Sequence, residues 1–236
     1  MAQSFRPNQG GLLMDYHRIT SITDPLFADM YELLKTVFPP EEVLAFDLWK
    51  EPLEDPSIRV FVAVHEGEVV GTTEYRYYED LNVGMTDFTI IGREGIGVGR
   101  FLATKRAADL QALAQENNKH MAGMFAEIYD PYRIDDHGFG GVKPMDPFVR
   151  REVLSHLGYK RLNFPYVHPS WQLDGTAVSG LDLCFMPADY EQTELNASLI
   201  ATFLKTYYSV LPEKPDAWVE MIEELDAKES VELLAI

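Results

Sequence analysis

The chain has 236 residues, 46% of them apolar and 25% charged, an ordinary balance for a folded globular protein with room for a sizeable core. Its formal net charge of −18, with Lys and Arg nowhere in a block, repels phosphate backbones, which argues against DNA or RNA as partner and suits a cationic or neutral one. A single cysteine, Cys184 in an apolar run, leaves no disulfide framework or cysteine zinc site; no apolar run approaches the roughly 18–20 residues of a membrane span, and Met1–Arg6 lacks the charged-then-apolar order of a signal peptide, so a cytoplasmic protein is expected.

Residues 1–15 are unpatterned and read as a loose arm. From Tyr16 the β-branched Ile19, Thr20 and Ile22 give a short first strand. Thr23-Asp24-Pro25 then starts a helix with Leu26, Met30, Leu33, Leu34 and Val37 at helical spacing, ended by Phe38-Pro39-Pro40. A second helix is expected over Glu41 to Trp49, before Pro52 and Asp55-Pro56 interrupt. Arg59–His65 and Val69–Tyr78 alternate as strands about a turn at Glu66-Gly67-Glu68, and Val83–Ile91 reads as the next strand.

That strand runs into Gly92-Arg93-Glu94-Gly95-Ile96-Gly97-Val98-Gly99-Arg100, and a helix follows to about Asn118, with Leu102, Ala103, Ala107, Leu110, Leu113 and Ala114 towards one side. A glycine-rich turn at a helix start aims several N–H groups at one spot and backs them with the positive end of the helix dipole, which makes an anion cradle. A P-loop would need Gly-Lys-Ser/Thr where the chain has Gly99-Arg100-Phe101, and a Rossmann fingerprint would need an early βαβ unit rather than several antiparallel strands.

Met121–Tyr129 is a further strand, followed by an aperiodic loop with Asp135, Asp136, His137 and several glycines. Asp146-Pro147 opens a helix that ends at Leu157-Gly158, and Tyr159–Val167 and Val178–Met186 read as two more strands. Two helices, about Glu194–Val210 and Pro215–Glu229, complete the reading.

The turn resembles motif A of the GNAT family of acyl-CoA-dependent N-acyltransferases, Gln/Arg-x-x-Gly-x-Gly/Ala, through Gly97, Gly99 and Leu102. The hairpin phrase over residues 61–71 is similar to motif D of that family, and Leu154-Ser155-His156-Leu157-Gly158-Tyr159 to its motif B. The order of elements from Tyr16 to Met186 resembles the same fold. The resemblance implies an α/β (α+β) protein with a mostly antiparallel mixed sheet flanked by helices: an arm over 1–15, an acyltransferase domain over 16–186, and a helical extension over 187–236. The extension would cover the sheet edge, form a homodimer face or cap the acceptor pocket.

The same resemblance implies acetyl-CoA or another acyl-CoA as co-substrate and a small-molecule amine as acceptor, with no nucleic acid and no membrane. Pyrophosphate contacts would come from the backbone of Glu94, Gly95, Ile96, Gly97, Val98, Gly99 and Arg100, and the pantetheine arm would lie on the backbone of Phe88, Thr89 and Ile90. Glu94 stands where the family has a basic or amide residue, so its side chain would turn outwards or pair with Arg93. Glu127, an acid in an apolar strand, is the first candidate general base, with its pKa raised, or else it bonds Arg133 or Lys143; Asp87 is the second candidate. The tyrosine that often serves as general acid is Leu154 here, which leaves Tyr159, His156 and Tyr129 as nearby donors. Asp136 and His137, with Tyr129, are expected at the acceptor site. No metal-ligand spacing occurs, so no metal is expected. Two alternatives stand beside acetyl transfer: a synthase moving a long acyl chain from a carrier protein to an amino acid or homoserine-lactone-type acceptor, and a CoA-binding module without turnover, which the losses at 94 and 154 would permit.

Overall fold

The computed structural model describes residues 13–38, 43–133, 146–170, 175–178 and 180–236. The strands are β1 (Asp15–Ile19), β2 (Ile58–His65), β3 (Glu68–Tyr78), β4 (Val83–Ile91), β5 (Gly123–Tyr129), β6 (Lys160–Leu162), β7 (His168–Pro169), β8 (Ala177–Val178), β9 (Leu181–Pro187), β10 (Glu194–Asn196) and β11 (Ser230–Leu234). The helices are α1 (Phe27–Val37), α2 (Lys50–Glu54), α3 (Val98–Glu116), α4 (Pro147–His156), α5 (Ala197–Tyr207) and α6 (Asp216–Asp226). Nine strands form one sheet in the order β1-β2-β3-β4-β5-β9-β6-β11-β10, while β7 and β8 pair apart from it. Only β4 and β5 run parallel; the other neighbours are antiparallel.

Strand alternation sorts the core into two layers. On β2, Val60 and Val62 pack with Phe27, Met30 and Leu34 of α1, while Phe61 and Ala63 point to the other face. There α3 buries Val98, Leu102, Arg106, Leu110 and Ala114, four residues apart along one stripe. Helix α3 comes close enough that a Cβ on Gly71 would meet Val98 Cγ1 at 2.4 Å, so β3 needs glycine there. Helix α4 shares the α3 face, its Leu154 and Leu157 packing with Ala126, Tyr159 and Cys184. On the α1 face, α5 and α6 join Val83, Met85, Phe125 and Phe185 in one core, with Phe203 stacked on Phe125 at 4.0 Å between ring centres.

Four expected elements differ. The second helix lies later than expected, as a 3₁₀ turn over Phe46–Trp49 and then α2, because Pro52 sits in the first turn, where its missing N–H costs nothing. The sixth strand is cut to Lys160–Leu162: the chain bends away at Asn163 and Phe164, and Pro165 has no N–H for the ladder. The expected strand from Val178 divides into β8 and β9 around Gly180. Beyond Pro187 the chain holds two strands as well as two helices. β11 pairs Leu233 with Leu162 and Leu234 with Arg161, and β10 pairs with β11 in turn.

Candidate functional site

The site begins with an irregularity in β4. Phe88 pairs with Glu74 and Thr86 with the next residue, Tyr75, so Asp87 is an extra residue that β3 does not match. Such a bulge bends the strand and re-aims its side chains. Thr86 and Thr89, three apart, both reach α3, while Phe88 and Ile90 turn to the α1 core. Beyond the bulge β4 also leaves its parallel neighbour: pairing with β5 runs from Val83 opposite Gly123 to Thr86 opposite Ala126 and stops there. The strands splay, and the gap opens between Asp87 and Glu127.

Cavities on the two faces of the sheet meet at that gap. On the α3/α4 face a cavity of about 810 Å³ is lined by Thr86, Thr89, Gly99, Arg100, Arg106 and Arg150, with apolar walls from Ala103, Val153, Leu154 and Leu157. On the opposite face a cavity of about 540 Å³ is lined by Glu74, Arg76, Tyr78 and Tyr207 among others. Asp87 and Glu127 line both. The first cavity thus sets three arginines against Asp87, Glu127 and Glu152, and the second sets Asp87, Glu127 and Glu74 against Arg76 alone.

The three carboxyls have different environments. Burial pushes Asp87 up to about 6, with Glu127 adding to the rise and with Arg76 and the Tyr207 hydroxyl opposing it. Arg76 Nε lies 3.5 Å from Asp87 Oδ2, and Tyr207 donates to Oδ1 at 3.2 Å. Burial and the neighbouring Asp87 push Glu74 up to about 8, so it is largely protonated at neutrality. Glu127 goes the other way. Burial favours its neutral form, but His168, then the hydroxyls of Tyr166 and Tyr208, outweigh this and hold the carboxyl below the ordinary range. Both tyrosines donate to Oε1, and His168 Nε2 stands 3.4 Å from Oε2. The raised pKa expected of Glu127 is therefore corrected: its partners favour the charged form.

These partners come from far along the chain. The bend after β6 brings Tyr166 and His168 over the gap, and α5, capped by Asn196 on the Ser198 N–H at 2.9 Å, ends with Tyr207 and Tyr208 there. None of the four was anticipated. No motif marks them, and the pairing of a tyrosine dyad with acids 81 and 120 residues upstream leaves no local signal. Arg133 does not reach Glu127; with Arg151 it pairs with Asp182 and Asp130, tying α4 to β9. Lys143, Asp136 and His137 lie outside the described residues.

The glycine turn has the form expected of a cradle. Gly95 and Gly97 take φ of +78° and +79°, a region L-residues avoid, and the space above both is open. Gly97 is the N-cap of α3. Glu94 is exposed, and Arg93 pairs with Glu68 of β3 rather than with it. Of the turn, Gly99 and Arg100 line the larger cavity, Val98 is buried in the core, and Ile96 packs beside it. Of the strand before it, Phe88, Thr89 and Ile91 line the cavity, whereas Ile90 is buried under α1. Tyr159 is buried among Ala126, Ile128 and Cys184 and lines none of the cavities at the gap, and Tyr129 ends β5 opposite Leu181. His156 does line the larger cavity.

No protein-family model matches the chain, and no curated protein matches it in sequence. Solved structures do. A protein from Bacteroides thetaiotaomicron assigned as a GNAT-family acetyltransferase superposes with a TM-score of 0.56 at 13% identity, over 84% of this chain and 97% of that one. An acetyltransferase-like protein from Staphylococcus epidermidis gives 0.50 at 10% identity, over 75% and 99%. An aminoglycoside 6'-N-acetyltransferase in complex with coenzyme A gives 0.50 at 13%, over 72% and 94%. At such identities the likeness is one of fold, and the chain has the GNAT fold. No helix among the described residues is long and apolar enough to cross a membrane.

Proposed function

We propose that the protein is an acyl-CoA-dependent N-acyltransferase, with its donor in the arginine-lined cavity and a cationic small-molecule amine in the acidic one. The observation that carries this reading is the meeting of the two cavities at the β4–β5 gap, between Asp87 and Glu127. The three arginines of the first cavity suit an anionic donor, and the second cavity, where acids meet Arg76 alone, suits a cationic acceptor, the two approaching one point from two sides. The open backbone above Gly95 and Gly97, at the positive end of α3, fits a pyrophosphate, and Arg100 adds charge beside it. The neighbours' coenzyme A and acetyltransferase assignments support the same choice.

On this reading Asp87 is the base. With a pKa of about 6 it is ionised at pH 7 yet close enough to neutrality to take a proton from an ammonium group. Glu127, held charged, supplies the fixed negative potential that draws the cation in. Asp87 takes one proton from the ammonium; the amine nitrogen bonds to the acyl carbon as the carbon–sulfur bond breaks and its electron pair goes to sulfur; the second amine proton ends on the departing thiolate. With leucine at 154, that thiolate leaves without a tyrosine donor from α4.

The test is calorimetric titration with free CoA and acetyl-CoA, followed by thiol release over a panel of small amines. Binding with amine-dependent release supports transfer. Binding without release from any amine would favour the module without turnover, which the residues at 94 and 154 permit. Absence of binding by either ligand would overturn the donor site.

A further inference from the structure

The proposed transfer leaves one buried charge unused. Arg106 occupies the inward stripe of α3 between Leu102 and Leu110, where an apolar residue is expected, and is only 4% exposed. Its Nη1 donates to the hydroxyls of Thr73 at 3.1 Å, Thr86 at 3.1 Å and Thr89 at 2.7 Å. All three partners are neutral. Among the described residues no carboxylate pairs with Arg106: Asp109, on the same helix, is held by Arg59 and Tyr75. Asp87 pairs with Arg76 and Tyr207, and Glu127 with His168 and two tyrosines. The Tyr159 hydroxyl, buried beside the guanidinium, is a fourth neutral neighbour of Arg106.

An arginine cannot shed its proton to escape burial, so its charge stays in the core and awaits an anion. The place of that anion is fixed by the fold. Arg106 lines the donor cavity, and its partner Thr86 is the last residue of β4 paired with β5, at the apex of the gap. It lies six residues beyond Arg100, about 9 Å further along α3 at the usual helical rise. That is too deep for the pyrophosphate at the helix N-terminus and lies towards the gap, the direction in which the thioester end of the donor would extend.

We infer that Arg106 binds a carboxylate on the acyl group, so that the donor is the CoA thioester of a short dicarboxylic acid. This rests on the donor cavity proposed above. A planar guanidinium whose Nη1 is anchored by three hydroxyls is already oriented to grip a carboxylate through its remaining N–H groups, and a charged pair in a dry cavity discriminates strongly against a neutral end.

The test compares free CoA, butyryl-CoA and succinyl-CoA by calorimetry on the full chain, with the Arg106→Gln and Arg106→Lys variants alongside. Succinyl-CoA is expected to bind about ten-fold or more tightly than butyryl-CoA, which matches its length without the charge. Arg106→Gln is expected to erase that preference while weakening free CoA far less than succinyl-CoA, and Arg106→Lys to keep part of it. Equal affinity of the wild-type protein for the two thioesters overturns the inference, and needs no variant to fold. Equal weakening of all three ligands by Arg106→Gln, at unchanged thermal stability, also overturns it, since the residue would then support the cavity rather than read the acyl group. Failure of free CoA to bind the wild-type protein would instead remove the donor site itself.

Discussion

Asp87 and Glu127 show how two carboxyls facing one gap are driven apart by their neighbours. The folded pKa of Asp87, about 6, is above its unfolded value, so its contribution to stability is fully present below about pH 4 and is lost as pH rises through 6. Asp87→Asn is therefore expected to raise the melting temperature at pH 8, to lose that gain by pH 4, and to lower turnover by about 10²-fold or more. Thermal scans at the two pH values and a rate profile check this; a turnover unaffected by the change would remove Asp87 as base. Glu127 has the opposite sign: its stability is present above the unfolded pKa and is lost as pH falls through the lowered folded one. Tyr208→Phe deletes a donor to the charged form and is expected to cost about 1–3 kcal/mol at pH 7, and less at pH 3, in denaturant titrations. Both acids were legible as charged residues in apolar strands. Their unlike environments were not, because His168, Tyr166, Tyr207 and Tyr208 arrive through tertiary structure.

At the scale of elements, local rules carried furthest where one signal decides the outcome. Alternation about Glu66-Gly67 gave the hairpin, and α3 starts at Val98, directly after the left-handed Gly97. The failures share a cause. β10 and β11 are three and five residues long, and β6 survives only where β9 and β11 flank it, so pairing rather than propensity defines them. The bulge at Asp87 is likewise set by pairing with β3, and no glycine or proline at that position marks it in the sequence. Gly97→Glu tests the turn: the space above Gly97 is open, so the fold is expected to survive with a loss of about 1–2 kcal/mol from the left-handed backbone. CoA binding is expected to vanish in calorimetry, as bulk and negative charge fill the cradle. Retained affinity would move the pyrophosphate elsewhere.

Over the whole molecule, the charge of −18 is not spread evenly: one cavity balances its acids with three arginines, and the other meets its acids with Arg76 alone. Raising ionic strength is expected to weaken a cationic acceptor through screening, seen as a rise in its KM with salt while a neutral amine of the same size changes little. The residues beyond Pro187, expected as helices that cover the sheet edge, form a homodimer face or cap the acceptor pocket, share the main core and supply Tyr207 and Tyr208.

The pairing of β11 with β6 also orders events in time. A ribosome delivers residue 162 long before residue 233, yet these two lie opposite each other in the sheet, and the helix that ends at Tyr207 packs against β10 and β11. During synthesis the acids at the gap are made well before their tyrosines, since Tyr207 follows Asp87 by 120 residues and Tyr208 follows Glu127 by 81. The two sides of the proposed chemistry are therefore written in distant parts of the chain, and a protein cut short after Pro187 would keep Asp87 and Glu127 but lose the two tyrosines that hold them.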